Sequence, residues 1–339
     1  MPDFSIGVDL GGTNLRIAAI TTEGKLLEKV TLGTKLLSGP DHVIAEMCDA
    51  ILRLSEQYRS SGALLGMGLG IPGIIDLESG TVRASANLPG WSNYPVREKA
   101  EQRLATRVLL ENDAKVHALG EKWLGAARDV DNMAMITLGT GIGGAIVLGG
   151  EIFHGMNGMA GEFGHVTLEP DGVPCGCGNR GCAERYASAT AIERMAREEI
   201  ASGQAPALAK MAGSGEEFSA KSIYQLAVKG DEAAQRIFQK FGRALGILMA
   251  DIVNVLNLEM YVIGGGVVSA WDAFAPSMFR ELHERSTIYA ATAPCDPATK
   301  QGAAAKVVVS TRQKTIITPA ILGSDAGLFG GARLPAMGR

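Results

Sequence analysis

Between Phe4 and Leu32, short apolar runs alternate with turn residues: "FSIGVDL", "GGTN", "LRIAAI", "TTEGK", "LLEKVTL". Runs of this length bounded by glycine, threonine and asparagine predict strands joined by tight turns, so the segment reads as a three-strand meander. The period then changes. In "DHVIAEMCDAILRLSEQYRSSG", Val43, Ile44, Met47, Ile51 and Leu54 fall on one helical face, after a Pro40 and Asp41 start and before a Gly62 stop. A strand in "LLGMGLGI", a helix from Val96 to Thr106 and a strand in "RVLLEN" follow. The last runs directly into "DAKVHALGEKWLGA", where Asp113 takes the N-cap or first turn of another helix.

The order strand, strand, strand, helix, strand, helix then restarts. "NMAMITL", "GTGIGG" and "AIVLGG" form another hairpin, long helices are expected over 186–202 and 231–256, and the strand "MYVIGGG" comes after them. The restart predicts a duplicated α/β architecture with a cleft between the halves. "ASGQAPALAKMAGSGEEFS" is rich in Gly, Ser and Ala without clear periodicity and reads as a loose excursion. "GSDAGLFGGA" reads as a small-residue helix packed tightly on a neighbour.

Composition narrows the function classes. A chain of 339 residues, 46% hydrophobic and 20% charged, has enough apolar material for two cores. The net charge of −4 and the lack of any Lys/Arg cluster argue against a nucleic-acid partner. No run approaches the roughly 18 apolar residues of a membrane span, and "MPDFSIGVDLGGT" lacks the basic-then-apolar order of a signal peptide, so a cytoplasmic protein with no membrane partner is expected. Five cysteines do not make a disulfide framework in so long a chain, and three of them fall within Cys175–Cys182. Cys48 and Cys295 read as plain thiols.

Glycine-rich loops raise a nucleotide reading. Gly11, Gly12, Thr13 and Asn14 in "DLGGTNLR", Gly139, Thr140, Gly141 and Gly143 in "LGTGIGGA", and Gly264 and Gly265 in "VIGGGVVS" expose backbone N–H groups that can cradle phosphate. Tight turns alone would use the same residues. Gly139, Gly141 and Gly144 formally match a dinucleotide fingerprint, as do Gly68, Gly70 and Gly73, but neither run opens a helix, and no Walker-type loop is present. Asp9, directly before the first loop, is placed to hold Mg²⁺ against phosphates, directly or through water.

The richest segment is "EFGHVTLEPDGVPCGCGNRGCAE". His165, Cys175, Cys177 and Cys182 supply four N/S ligands, the closed tetrahedral set that structural zinc fills; a catalytic zinc would need an open position. With one imidazole nitrogen on the metal, the other is held in a single orientation. Asp113 is the candidate general base for a hydroxyl, while an ordinary N-cap role has its own mechanism. His117, one turn later, reads as a helix-surface histidine, and Trp123 as core.

Taken together, the Asp9–Thr13 loop, "LGTGIGG", "END" at 111–113, Glu162-Phe163-Gly164-His165, the run from Cys175 to Glu184 and "IGGG" at 263–266 resemble, in order, the ROK family of bacterial sugar kinases and related repressors. The resemblance spans the chain. It implies two actin-like (ribonuclease H-like) α/β domains, a small one over 1–112 with 321–339 and a large one over 113–320 carrying the zinc loop. It implies Asp113 as the base, sugar contacts from Gly73, Asn87, Asn112, Asp113, Glu162, His165 and Glu184, phosphate contacts from Thr13 and Thr140, and an adenosine site at Gly264 and Gly265. The cofactors implied are ATP, Mg²⁺ and structural Zn²⁺, with a homodimer or larger homo-oligomer.

Within that family the expected activity is glucokinase, transfer from ATP to the 6-hydroxyl of glucose. Kinase action on N-acetylmannosamine, mannose or another hexose is the alternative, and the loops leave polyphosphate open as donor. A sugar-sensing regulator without a DNA-binding part is the alternative of a different class; the family's repressors carry a helix-turn-helix before the first loop, for which Asp9 leaves no room. Two departures stand out: Ala145 replaces a glycine often found after the second loop, and "YASATAI" replaces a Ser-Gly pair, which bears on sugar preference.

Overall fold

The apolar runs at the start of the chain pair as the pattern predicts. In the structure, a computed structural model that describes residues 2–60, 62–215, 217–294 and 313–337, β1 (Phe4–Leu10), β2 (Asn14–Thr21) and β3 (Leu26–Gly33) form an antiparallel meander. Helix α1 (Pro40–Tyr58) follows and buries Val43, Ile44, Met47, Ile51 and Leu54, the five positions its spacing picked out. Strand β4 (Leu64–Ile71) lies parallel to β1, which is buried at every residue because it has a strand on both sides and covered faces. A short hairpin, β5 (Ile74–Asp76) and β6 (Thr81–Ala84), escapes the sequence reading because runs of 3 and 4 residues show no period. Helix α2 (Val96–Leu104), strand β7 (Val108–Asn112) and helix α3 (Asp113–Leu124) complete this part, and the sheet order is β3-β2-β1-β4-β7.

The second half repeats that order. Strands β8 (Met133–Leu138), β9 (Ile142–Leu148) and β10 (Glu151–Ile152) precede helices α4 (Ala189–Ala201), α5 (Pro206–Ala212), α6 (Ala220–Val228) and α7 (Glu232–Leu256). Strand β11 (Met260–Gly264), helices α8 (Trp271–Arg285) and α9 (Thr287–Thr292), strand β12 (Ile316–Pro319) and helix α10 (Ala326–Ala336) follow. This sheet runs β10-β9-β8-β11-β12, so both sheets place their strands third, second, first, fourth, fifth. The duplicated architecture expected from the restart is present. The excursion expected over 201–219 instead contains helix α5, started by Pro206 and anchored by the fully buried Leu208.

The chain divides into two compact units, Met1–Met135 with Ala145–Gly161 and Ala320–Arg339, and Ile136–Gly144 with Glu162–Pro319. Helix α3, which the sequence boundary at 112 would assign to the second domain, lies in the first unit. The cause is close helix packing: a Cβ on Gly330 would strike the Val116 carbonyl, and one on Gly120 the Ala326 carbonyl. Helix α10 is thus the expected small-residue helix, seated backbone to backbone on α3. Cys48 is buried in α1, where burial pushes its thiol up to about 11, consistent with an inert thiol. Cys295 lies outside the described residues.

Candidate functional site

In the first unit, Asp9 sits near the end of β1 and is only 7% exposed. A buried carboxylate needs partners. Arg16, its antiparallel neighbour on β2, donates to Asp9 Oδ2 at 3.2 Å, and His117 Nε2 on α3 lies 3.7 Å from the same oxygen. Helix α10 leaves room for this cluster through Gly327, where a Cβ would crowd both the imidazole and the carboxyl group. The loop after Asp9 is held by its own meander: Gly11 N donates to Asn14 O, Thr34 Oγ1 to Gly11 O and Thr34 N to Thr13 O, each at 2.8 Å. Gly12, Thr13 and Asn14 are exposed.

Asp113 is the first residue of α3, and the N-cap is Asn112, whose Oδ1 accepts from Ala114 N at 3.0 Å. The Asn112 amide also donates to Gly73 O at 3.3 Å, which brings together two expected sugar contacts; Gly73 itself has φ +123°. Asn87 is exposed beyond β6. Loss of solvent raises the Asp113 pKa; the nearby His117 and the Ala114 N–H oppose the rise, and the charge of Asp9 adds to it. Burial would push His117 down, but the adjoining Asp9 carboxylate and the charge of Asp113 outweigh it, so its pKa is raised. His117 is therefore no surface histidine: its side chain is 19% exposed, 3.7 Å from the Asp9 carboxylate, and feels the charge of Asp113.

Two further contacts escaped the sequence reading. Glu111, 3% exposed, receives Asn112 N on Oε1 at 2.9 Å and faces His154 Nε2 at 2.6 Å through Oε2. Lys115 meanwhile hydrogen-bonds to Gly158 O. The residues around the candidate base are thereby tied to the segment after β10. The partners lie about 40 residues apart, a range no local pattern reports.

In the second unit, the "LGTGIGG" loop joins β8 to β9 and opens no helix, so the formal dinucleotide match fails in context as expected. Gly139 N donates to Gly141 O at 3.0 Å, and Gly143 lies in β9. Gly264 ends β11, and Gly265 follows with φ +89°, close against Leu138 of β8. Glu162, exposed, precedes a 3₁₀ turn over Phe163–His165. Glu184 is turned toward the glycine loop, its Oε2 accepting from Ile142 N at 3.0 Å.

His165, Cys175, Cys177 and Cys182 converge with their ligand atoms all within 4.8 Å of one another. The Cys177 and Cys182 sulfurs are 3.7 Å apart, and His165 Nδ1 is 3.8 Å from Cys175 Sγ. A tetrahedral zinc with bonds of about 2.3 Å to sulfur requires sulfurs about 3.8 Å apart, so the donor set and spacing fit zinc. The left-handed Gly178 and Gly181 and the bond from Cys175 N to Asn179 O shape the knuckle. Because Nδ1 faces the sulfurs, Nε2 of His165 is free to face another group. Among the described residues, no helix is long and apolar enough to cross a membrane.

The sequence profile of the ROK family matches residues 5–335. A glucokinase from Halalkalibacterium halodurans is 37% identical over 97% of this chain and 94% of its own length. A glucokinase from Thermotoga maritima is 40% identical over 84% of this chain and 87% of its own. Among solved structures, a ROK family glucokinase from Streptomyces griseus in complex with glucose and AMPPNP superposes with a TM-score of 0.77 at 31% identity, covering 98% of this chain and 99% of that one.

Proposed function

The chain belongs to the ROK family, and from that membership we propose that it is an ATP-dependent hexose kinase acting on the 6-hydroxyl of glucose. The reading is carried by Asp113, a carboxyl group with a raised pKa in the same charged cluster as Asp9, in a chain that aligns over nearly its whole length with a glucokinase. Phosphoryl transfer asks the protein for alignment, charge neutralisation and a base. Asp113 accepts the proton of the sugar hydroxyl as the new oxygen–phosphorus bond forms and the bond to ADP breaks. Asn112 and Gly73 bind the sugar beside it. Asp9 holds Mg²⁺, directly or through water, with Arg16 and His117 fixing its carboxylate. The metal, when bound, neutralises phosphate charge.

Zinc is structural in this reading: three thiolates and His165 Nδ1 hold it, and the loop it folds carries Glu162, His165 Nε2 and Glu184 toward sugar hydroxyls. Gly264 and Gly265 serve the adenosine. A homodimer or larger homo-oligomer in the cytoplasm completes the proposal, and sedimentation tests the assembly. Purified protein with ATP, Mg²⁺ and glucose is expected to give glucose 6-phosphate; absence of turnover on glucose, mannose, N-acetylmannosamine and other hexoses, with ATP or polyphosphate, would sink the reading. An Asp113→Ala protein that binds glucose without turnover, beside an active wild type, separates a kinase from a sugar-sensing regulator.

A further inference from the structure

The segment directly after the zinc loop grips the second glycine loop by several bonds at once. Ala189 N donates to Gly139 O at 2.8 Å, Thr190 Oγ1 donates to Thr140 O at 2.9 Å, and Glu184 Oε2 accepts from Ile142 N at 3.0 Å. Gly141 lies so close to the Glu184 carboxylate that a Cβ there would collide with it. The hydroxyls of Ser188 and Thr190 are 2.9 Å apart, and Ser188, fully buried, caps α4 through Ala191 N at 3.2 Å.

Peptide geometry gives these contacts a direction. In a trans peptide, the C=O and N–H of one unit point opposite ways. Holding the Gly139 and Thr140 carbonyls on the start of α4 therefore turns the N–H groups of Thr140 and Gly141 away from it. The Ile142 N–H is already taken by Glu184. The loop is left with two aimed donors.

We propose that Glu184–Thr190 is the positioning element of the second phosphate loop, and that Thr190 is a positioning residue for ATP through the Thr140 carbonyl. This rests on the kinase reading of that loop. It also reassigns the unusual "YASATAI" segment, expected from sequence to bear on sugar preference, to the nucleotide.

The test compares wild type with Thr190→Val, which removes the hydroxyl at similar volume, and Thr190→Ser, which keeps it. Three constants are measured: KM for ATP, Kd for AMPPNP by calorimetry, and Kd for glucose without nucleotide. Loss of one hydrogen bond predicts a rise of about fivefold in both nucleotide constants for Thr190→Val. The glucose Kd should stay within about twofold, and Thr190→Ser should restore all three constants. Unchanged nucleotide constants in Thr190→Val, a glucose Kd that rises with them, or failure of the serine to rescue would overturn the assignment. The AMPPNP measurement needs no turnover, so a wild type that binds AMPPNP but phosphorylates no hexose overturns the kinase reading separately.

Discussion

The two glycine loops look alike in sequence, "DLGGTN" and "LGTGIGG", and each joins the first and second strands of its sheet. Their supports differ. The first is closed by Asn14 and by Thr34 just past β3, all within one meander, and the acid before it is matched by Arg16 on the adjoining strand. The second is held from outside, by residues 184–190, some 45 positions later and continuous with Cys182 of the Cys/His cluster. The first loop is thus built by local pairing. On the zinc reading, the second depends on a segment that continues from the Cys/His cluster, so perturbing the metal should reach one loop and spare the other.

The largest expected effect tests the first unit. Asp113→Asn should lower kcat by about 10²- to 10⁴-fold while the glucose Kd changes by about tenfold or less, the worth of one hydrogen bond. If sugar affinity collapsed with kcat, chemistry and binding would not divide as described. Next comes the metal arm: Cys177→Ala, which removes one of four candidate ligands, should weaken zinc retention by more than the roughly 10- to 100-fold that loss of an outer-shell partner costs and weaken glucose and AMPPNP binding with it, read by metal analysis and calorimetry. Zinc lost with both affinities intact would break the contrast between the loops.

A third test bears on how α10 seats against α3. Gly330→Ala should cost about 1 to 3 kcal/mol of stability, seen as a lower denaturation midpoint with unchanged zinc content. The smallest effect is in pH. As the proposed base, Asp113 acts only when deprotonated, and its raised pKa places the acid limb of kcat/KM above the ordinary aspartate range, with activity rising as pH climbs through it. His117 opposes that rise, so His117→Gln should move the limb to still higher pH. A limb that stayed in place or moved down would show that His117 does not act on Asp113.

Much of this was legible beforehand because it is local. The short apolar runs between turn residues gave β1 to β3, the three-four spacing gave the buried face of α1, and the clustered His and Cys residues gave a ligand set that does converge. What escaped was either too short to have a period, as in the β5–β6 hairpin, or defined by partners far apart in the chain. His117 reads as a surface residue from its helix alone, and only the approach of β1 and the Gly327 turn of α10 shows it to be enclosed. The Glu111–His154 pair and the Thr190–Thr140 contact have no local signature at all.

The sequence by itself determined the alternation of strands and helices, the family, and which residues have the chemistry to ligate a metal or take a proton, because those depend on residue type and spacing. The tertiary structure decided which carboxylates share a histidine, that α3 belongs with the first unit, and which way Glu184 turns. Those outcomes depend on burial and on hydrogen bonds between distant segments, which exist only once the chain has packed.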